Sequence, residues 1–177
     1  MTVLSRTAGA LLAAAAPLVM MAAVPAAGAA ASPATAGYAL SGTATMTPGT
    51  GTCLDCLPPS ASATGTATCS LCLPGKPGAG TFTLDLPAIT TFPPSPCRIK
   101  TISGTLSATW DTGQTSTATV SGRFIDGKPI LTLTGNFSPA DPIWPSDPLD
   151  IVLTNFPPSP CTAATNTVTG DMAISAS

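Results

Sequence analysis

The sequence contains no histidine, and all eight of its acidic residues are aspartates, so glutamate is missing as well. These absences exclude a Ser-His-Asp triad, an acid-base pair built on histidine or glutamate, and zinc sites that use histidine. Charged residues make up only 8% of the chain, whereas a typical soluble domain has about a quarter. With six cations in all, the sequence predicts no nucleic-acid binding, because such proteins follow phosphates with clustered lysine and arginine.

Strong helix formers are scarce beyond the first thirty residues, whereas the chain has 20 prolines and 16 glycines. This composition argues against a helical bundle. It also leaves aspartate and hydroxyl side chains as the main reactive groups. We therefore predict a protein without catalytic residues, cofactor or metal, although an enzyme of unknown class that uses aspartate and serine is an alternative.

The N-terminal segment has the order of a secretory signal peptide. One cation, Arg6, precedes an apolar stretch over residues 8–24, and small residues follow up to Ala31. The apolar stretch is rich in alanine and short for a membrane span. We therefore predict a signal peptide over residues 1–31, a single all-β domain over residues 32–177, and an extracellular protein with no membrane span in the mature chain. Removal of Arg6 leaves five cations and eight aspartates, a net charge of −3.

The predicted domain alternates apolar and hydroxyl residues with period two, which is the period of a β-strand. In residues 101–110, for example, Ile102, Leu106 and Trp110 share one face, and threonine and serine occupy the other. Eight such segments begin near Tyr38 and end near Ile174. One apolar and one polar face indicate antiparallel pairing. Turn residues between the segments predict a three-stranded meander over residues 101–137.

Six of the predicted strands place a glycine on the apolar face, each after serine or threonine: Gly42, Gly65, Gly104, Gly122, Gly135 and Gly170. A glycine inside a strand costs about 0.5–1 kcal/mol relative to alanine, so six of them need a geometric reason. Glycine on the concave side lets a strand coil sharply, as a small barrel requires. We predict a small, coiled, up-and-down barrel; a two-sheet β-sandwich with close contacts at glycine is the alternative.

The chain contains an internal repeat in which Phe-Pro-Pro-Ser-Pro-Cys occurs at residues 92–97 and again at 156–161. Each copy follows a short apolar strand. Each also precedes a strand with an inner glycine, Gly104 after the first copy and Gly170 after the second.

Six cysteines are present: Cys53, Cys56, Cys69, Cys72, Cys97 and Cys161. The first four have the spacing of a four-cysteine zinc site or of redox pairs, but a secreted chain with an even cysteine count favours disulfides. Up-and-down connection places Cys69 and Cys72 at one barrel end and the other four at the opposite end. We predict the pairs Cys69–Cys72, Cys53–Cys56 and Cys97–Cys161, with Cys53–Cys161 and Cys56–Cys97 as the alternative to the last two.

Four further motifs have a chemical and a structural interpretation. Asp111-Thr112-Gly113 matches the aspartic-protease triplet, but a single copy is better explained as a hairpin turn. Asp141, Asp147 and Asp150 fall in one proline-rich segment and could bind calcium or begin turns. Asn136 begins a glycosylation acceptor motif, which the following Pro139 weakens. The threonine rows could bind ice, although a coiled sheet and the strand preference of threonine favour a plain solvated face.

The sequence thus predicts a secreted, non-catalytic β-module with a structural or interaction role at or outside the cell surface. Self-association or a cell-surface partner is the expected interaction. The alternative from a different class is a carrier of a small apolar ligand that uses the barrel interior, which eight strands can just accommodate.

Overall fold

The computed structural model describes residues 33–49, 59–92, 94–124 and 128–176. These residues contain eight strands and no helix: β1 (Ala34–Thr47), β2 (Ser60–Leu71), β3 (Ala79–Phe92), β4 (Ser95–Trp110), β5 (Thr115–Phe124), β6 (Ile130–Phe137), β7 (Pro148–Thr154) and β8 (Ala164–Ala176). The predicted signal peptide and the segment with Cys53 and Cys56 lie outside the described residues. No helix in the described part has the length and hydrophobicity that crossing a bilayer requires.

The strands form a closed barrel in which each strand pairs antiparallel with its neighbours in sequence and β8 pairs with β1. The predicted up-and-down barrel is therefore confirmed, and the sandwich alternative is wrong. The meander predicted over residues 101–137 corresponds to β4, β5 and β6. Closure follows from the sequence pattern, because every strand has one apolar face and a barrel buries all of these faces against each other.

The glycines on the inner face lie where neighbouring strands approach most closely. A Cβ atom on Gly104 would overlap the carbonyl oxygen of Asp85 on β3, and a Cβ atom on Gly122 would overlap that of Thr132 on β6. Gly42 and Gly65 are direct partners across β1 and β2. Only glycine fits these contacts, and this is the physical reason for the glycine pattern in the sequence.

Side chains fill the barrel interior. The largest fully buried ones come from five strands and two connections: Tyr38, Met46, Leu84, Leu86, Ile102, Leu106, Leu131, Leu133, Trp144, Leu149, Ile151 and Phe156. The predicted inner faces agree with this core except at Leu71, which is 58% exposed. The register of β1 against β2 shifts between Gly37 and Tyr38, and beyond this irregularity Leu71 no longer belongs to the buried face.

The two ends of the barrel differ, and we name them by what closes them. The tryptophan mouth carries the two ends of the described chain, the β2–β3, β4–β5 and β6–β7 connections, and Trp144. The disulfide mouth carries the other four connections. The bond between Cys97 and Cys161 spans the disulfide mouth, with a Cα–Cα distance of 5.1 Å.

Candidate interaction surfaces

Two of the three predicted disulfides lie in the described residues, and both are present. Cys69 pairs with Cys72 beside the tryptophan mouth, and Cys97 pairs with Cys161. Four cysteines therefore serve as covalent links. The pair predicted for Cys53 and Cys56 lies outside the described residues and stays a prediction.

Asp111 lies in the β4–β5 hairpin turn. Its carboxylate oxygen Oδ2 accepts hydrogen bonds from the backbone N–H groups of Gly78 (3.1 Å) and Ala79 (2.9 Å). Gly113 follows with a φ of 79°, a conformation that suits glycine. The carboxylate thus joins two neighbouring turns, which supports the interpretation of this triplet as a turn.

The β6–β7 connection, residues 138–147, closes the tryptophan mouth with the buried side chains of Ile143 and Trp144, and we call it the plug. Asp141 holds the plug in place. Its carboxylate accepts hydrogen bonds from the Ser116 hydroxyl (3.0 Å) and from the backbone N–H groups of Thr117, Ile143 and Trp144. Ser116 accepts in turn from Trp110 Nε1 at 2.9 Å. Both Ser116 and Asp141 are buried. Sequence reasoning missed Ser116, although a serine on the apolar face of β5 indicates a buried polar partner.

The other two aspartates of the proposed calcium site have different surroundings. Asp147 is buried, whereas Asp150 is exposed on the outer face of β7. Within the described residues, no three acidic or cysteine side chains form a group that could bind a metal ion. The Asp141 carboxylate already accepts four hydrogen bonds, two from β5 and two from the β6–β7 connection, so its lone pairs are used within the protein.

Trp144 is the centre of the plug and is fully buried. It packs against Tyr38 and Phe137, with ring centroids 6.5 Å and 6.4 Å apart, and the Lys76 ammonium lies 4.3 Å above its ring. Lys76 also donates a hydrogen bond to the backbone carbonyl of Ile143. The indole Nε1 of Trp144 is buried and has no hydrogen-bond partner within the described part of the chain.

Tyr38, the single tyrosine, links the plug to the β2–β3 connection. Its hydroxyl donates a 2.8 Å hydrogen bond to the carbonyl of Pro77. Burial raises the pKa of Tyr38 to about 12, and the Asp111 carboxylate contributes to the rise. The phenol is therefore a neutral donor at ordinary pH and has a structural role here.

The outer surface of β8, β1, β2 and β3 is an array of exposed hydroxyls, which we call the threonine face. It consists of Ser41, Thr43, Thr45, Ser62, Thr64, Thr66, Thr81, Thr83, Thr165, Thr167 and Thr169. Register aligns them in rows across the strands; one row runs Thr167, Thr43, Thr64, Thr83. Neighbouring strands lie about 4.8 Å apart, so the hydroxyls form a regular lattice on a curved sheet.

Two open grooves mark the outer surface on the opposite side of the barrel. One of about 990 Å³ lies over β5, β6 and β7 and includes Asn136 and Asp150. The other, of about 560 Å³, lies over β4, β5 and β6 and includes Arg123. Asn136 is exposed on β6, beside the β6–β7 connection.

Comparisons with protein-family models, with curated proteins and with solved structures give no significant match to this chain.

Proposed function

We propose that this chain is a secreted, non-catalytic β-module with a structural or interaction role at or outside the cell surface. The observation that carries the proposal is the threonine face, a lattice of exposed hydroxyls on a closed barrel, where β1 and β2 carry no charged side chain and charge occurs only at the border, at Asp85 and Asp171. Such a surface can meet a partner without desolvating charges, and its rotatable hydroxyls both donate and accept hydrogen bonds.

Closure of the barrel restricts how a partner can bind. All eight described strands have two paired neighbours, so the barrel offers no free strand edge for β-augmentation. A partner must therefore approach the outer face. On the outer side of the barrel, Asp85 on β3 and Asp171 on β8 lie at the border of the threonine face. The strands β1 and β2 between them carry no charged residue.

The bonding partners of two aspartates and four cysteines support a non-catalytic role. The carboxylates of Asp111 and Asp141 accept backbone hydrogen bonds that hold turns in place. Four cysteines form disulfides. These groups are thereby committed to the scaffold, which leaves surface shape and hydroxyl chemistry to provide function.

The carrier alternative has one observation in its favour, the unpartnered indole Nε1 of Trp144, which a ligand oxygen could accept from. The packing of Tyr38, Trp110 and Phe137 around that end of the barrel leaves the interior occupied by protein. The outer-face proposal therefore has the stronger support.

The test is retention of the mature protein on its own cell envelope, together with sedimentation of the purified protein over a range of concentrations. The variant Thr43→Lys/Thr64→Lys introduces two charges at direct cross-strand partners. Thr43→Ser/Thr64→Ser keeps the hydroxyls and is the matched control. We expect the wild type and the serine variant to be retained on the envelope or to self-associate. The lysine variant should show neither retention nor self-association. A wild type that is monomeric and not retained overturns the proposal.

A further inference from the structure

The second groove and the cations around it point to a binding site on the sector of the barrel opposite the threonine face. We propose that the outer surface of β4, β5 and β6 next to the disulfide mouth binds an anionic polysaccharide. The proposal does not depend on the threonine face and goes beyond the general role proposed above.

Cations of the described chain are concentrated in this sector. Arg98 and Lys100 lie near the start of β4, Arg123 lies near the end of β5, and Lys128 precedes β6. All four are exposed. The remaining described cation, Lys76, lies at the tryptophan mouth and is held by Trp144 and Ile143.

Carboxylates avoid the same sector. Within the described residues, β4, β5 and β6 carry no aspartate. One exposed aspartate borders the sector on each side: Asp85 on β3 pairs with Thr105 of β4, and Asp150 on β7 pairs with Thr134 of β6. Asp126, between β5 and β6 in the sequence, lies outside the described residues. In a chain with net charge −2, this sector is the place where an anion is attracted.

The groove supplies hydrogen-bonding groups beside the charge. Its lining places Arg123 together with the hydroxyls of five residues from three strands: Thr101, Ser103, Ser121, Thr132 and Thr134. The Thr132 hydroxyl donates a 3.1 Å hydrogen bond to the backbone carbonyl of Arg123, which ties β6 to β5 at this point. The guanidinium has no hydrogen-bond or ion-pair partner of its own among the described residues, and its planar fork fits a carboxylate.

The groove chemistry favours a polysaccharide over a lipid surface. Membrane attachment needs a cluster of apolar side chains in addition to a basic patch. The large exposed apolar side chains of the described residues near this sector are Phe92 on β3 and Val152 on β7, which lie on opposite sides of it and form no cluster. The Arg98 guanidinium lies 5.9 Å from the Phe92 ring and partly covers it. Hydroxyls along an open groove instead match the hydroxyls of a sugar chain, and the cations match its acidic groups.

The experiment measures binding of polygalacturonate to the mature protein by calorimetry, with dextran and anionic phosphatidylglycerol vesicles as the other probes. We expect binding to polygalacturonate that weakens as ionic strength rises to about 0.15 M, and none to dextran or vesicles. Arg123→Gln should weaken binding about three- to tenfold, because each exposed charge contributes modestly and several act together.

Two controls separate a specific site from general electrostatics. Thr43→Asp on β1 lowers the net charge by one, as Arg123→Gln does, and should leave the affinity unchanged. Ser121→Ala/Thr134→Val removes two groove hydroxyls and should weaken binding about threefold with the same salt dependence, because neutral hydrogen bonds are not screened. Asp150→Asn should strengthen binding slightly.

Four outcomes overturn the inference: no binding of polygalacturonate at low salt, equal binding of dextran, preference for the vesicles, or equal effects of Arg123→Gln and Thr43→Asp. The hydroxyl variant refines the same test, since an unchanged affinity would mean recognition by charge alone. The lysine variant of the threonine face should still bind the polymer, so that failure of one proposal is distinguishable from failure of the other.

Discussion

The two copies of Phe-Pro-Pro-Ser-Pro-Cys have the same sequence and different environments. Phe156 of the second copy is fully buried, whereas Phe92 of the first copy is 42% exposed. The cysteines that end the two copies nevertheless pair with each other. Identical local sequence therefore fixes the covalent link and leaves the burial of the phenylalanine to the surrounding chain.

The preceding strands explain the difference. β3 continues to Phe92, which pairs with Ser95 of β4, so the first copy forms the tip of a long hairpin. β7 ends at Thr154, and Asn155 follows with a φ of 60°. After this turn, the N–H of Phe156 donates to the carbonyl of Pro129 at 3.1 Å, and its ring packs edge-on against Phe124 at 5.6 Å. The second copy thereby covers the disulfide mouth.

Other parts of the repeat are equivalent. A Cβ atom on Gly104 would overlap the carbonyl oxygen of Asp85 on β3, and a Cβ atom on Gly170 would overlap that of Val152 on β7. Each glycine therefore allows the same close approach to the strand that leads into its copy of the motif. The repeat preserves strand coiling and the disulfide position, and it diverges at the loop.

Removal of the disulfide that joins the two copies should have the largest effect on stability. Cys97→Ala/Cys161→Ala opens a loop with a sequence separation of 64. Loop-closure entropy gives about 4 kcal/mol for this loop and about 2 kcal/mol for the short loop of Cys69 and Cys72. Urea unfolding of the two double variants measures both values. Equal losses of unfolding free energy in the two double variants would mean that the Cys97–Cys161 disulfide stabilises the barrel no more than the local Cys69–Cys72 disulfide does.

The two phenylalanines provide the sharpest test of the comparison. Phe156→Ala should destabilise the barrel by about 3 kcal/mol, because it removes a buried ring from a packed mouth. Phe92→Ala should cost less than about 1 kcal/mol, since it loses only an exposed contact with Arg98. Urea midpoints of the paired variants measure the difference. A similar cost at both positions would contradict the different environments of the two copies.

The two equivalent glycines should respond alike. Gly104→Val and Gly170→Val should each destabilise by about 2–3 kcal/mol, because the added side chain collides with a backbone carbonyl that cannot move away without separating the strands. The outward Thr105 is the control, and Thr105→Val should change stability by less than about 0.5 kcal/mol. Thermal unfolding of the three variants measures this. If one of the two glycine-to-valine variants unfolds at the wild-type temperature, the strand that carries that glycine is less coiled than the strand that carries the other.

The barrel could be predicted from the sequence because each structural feature that closes it corresponds to a short local sequence pattern. Alternation gave the faces, Asp and Gly marked the turns, and a glycine on the apolar face marked each close approach, as at Gly122. Because consecutive strands of an up-and-down barrel run in opposite directions, the position of each cysteine in the strand order predicted the barrel end at which it lies. The predicted pairs Cys69–Cys72 and Cys97–Cys161 are confirmed.

Features that depend on which distant segments meet could not be predicted in the same way. The burial of Ser116 and Asp141 depends on the β6–β7 connection folding back under Trp144. The predicted meander makes β4 and β5 neighbours, but alternation within the strands does not indicate that Arg98 and Arg123 are both exposed near the same mouth. The exposure of Leu71 results from a register shift that alternation alone does not indicate.

The residue before each copy offers the smallest and most selective test. Asn155 precedes Phe156 in a left-handed conformation, and its carbonyl accepts a 2.9 Å hydrogen bond from the Asn166 side chain. Thr91 precedes Phe92 within β3. Asn155→Thr places a β-branched residue at positive φ and should cost about 1–2 kcal/mol, whereas Thr91→Asn should cost less than about 0.5 kcal/mol.

Hydrogen exchange makes this last test specific to the loop. The amide of Phe156 should lose protection in Asn155→Thr, because relaxing the backbone moves its N–H away from the carbonyl of Pro129. Asn155→Gly should keep that protection, since glycine adopts the same φ without strain. If the amide stays protected in Asn155→Thr, then packing of the Phe156 ring against Phe124 holds the second copy in place, and the left-handed turn is its consequence and not its cause.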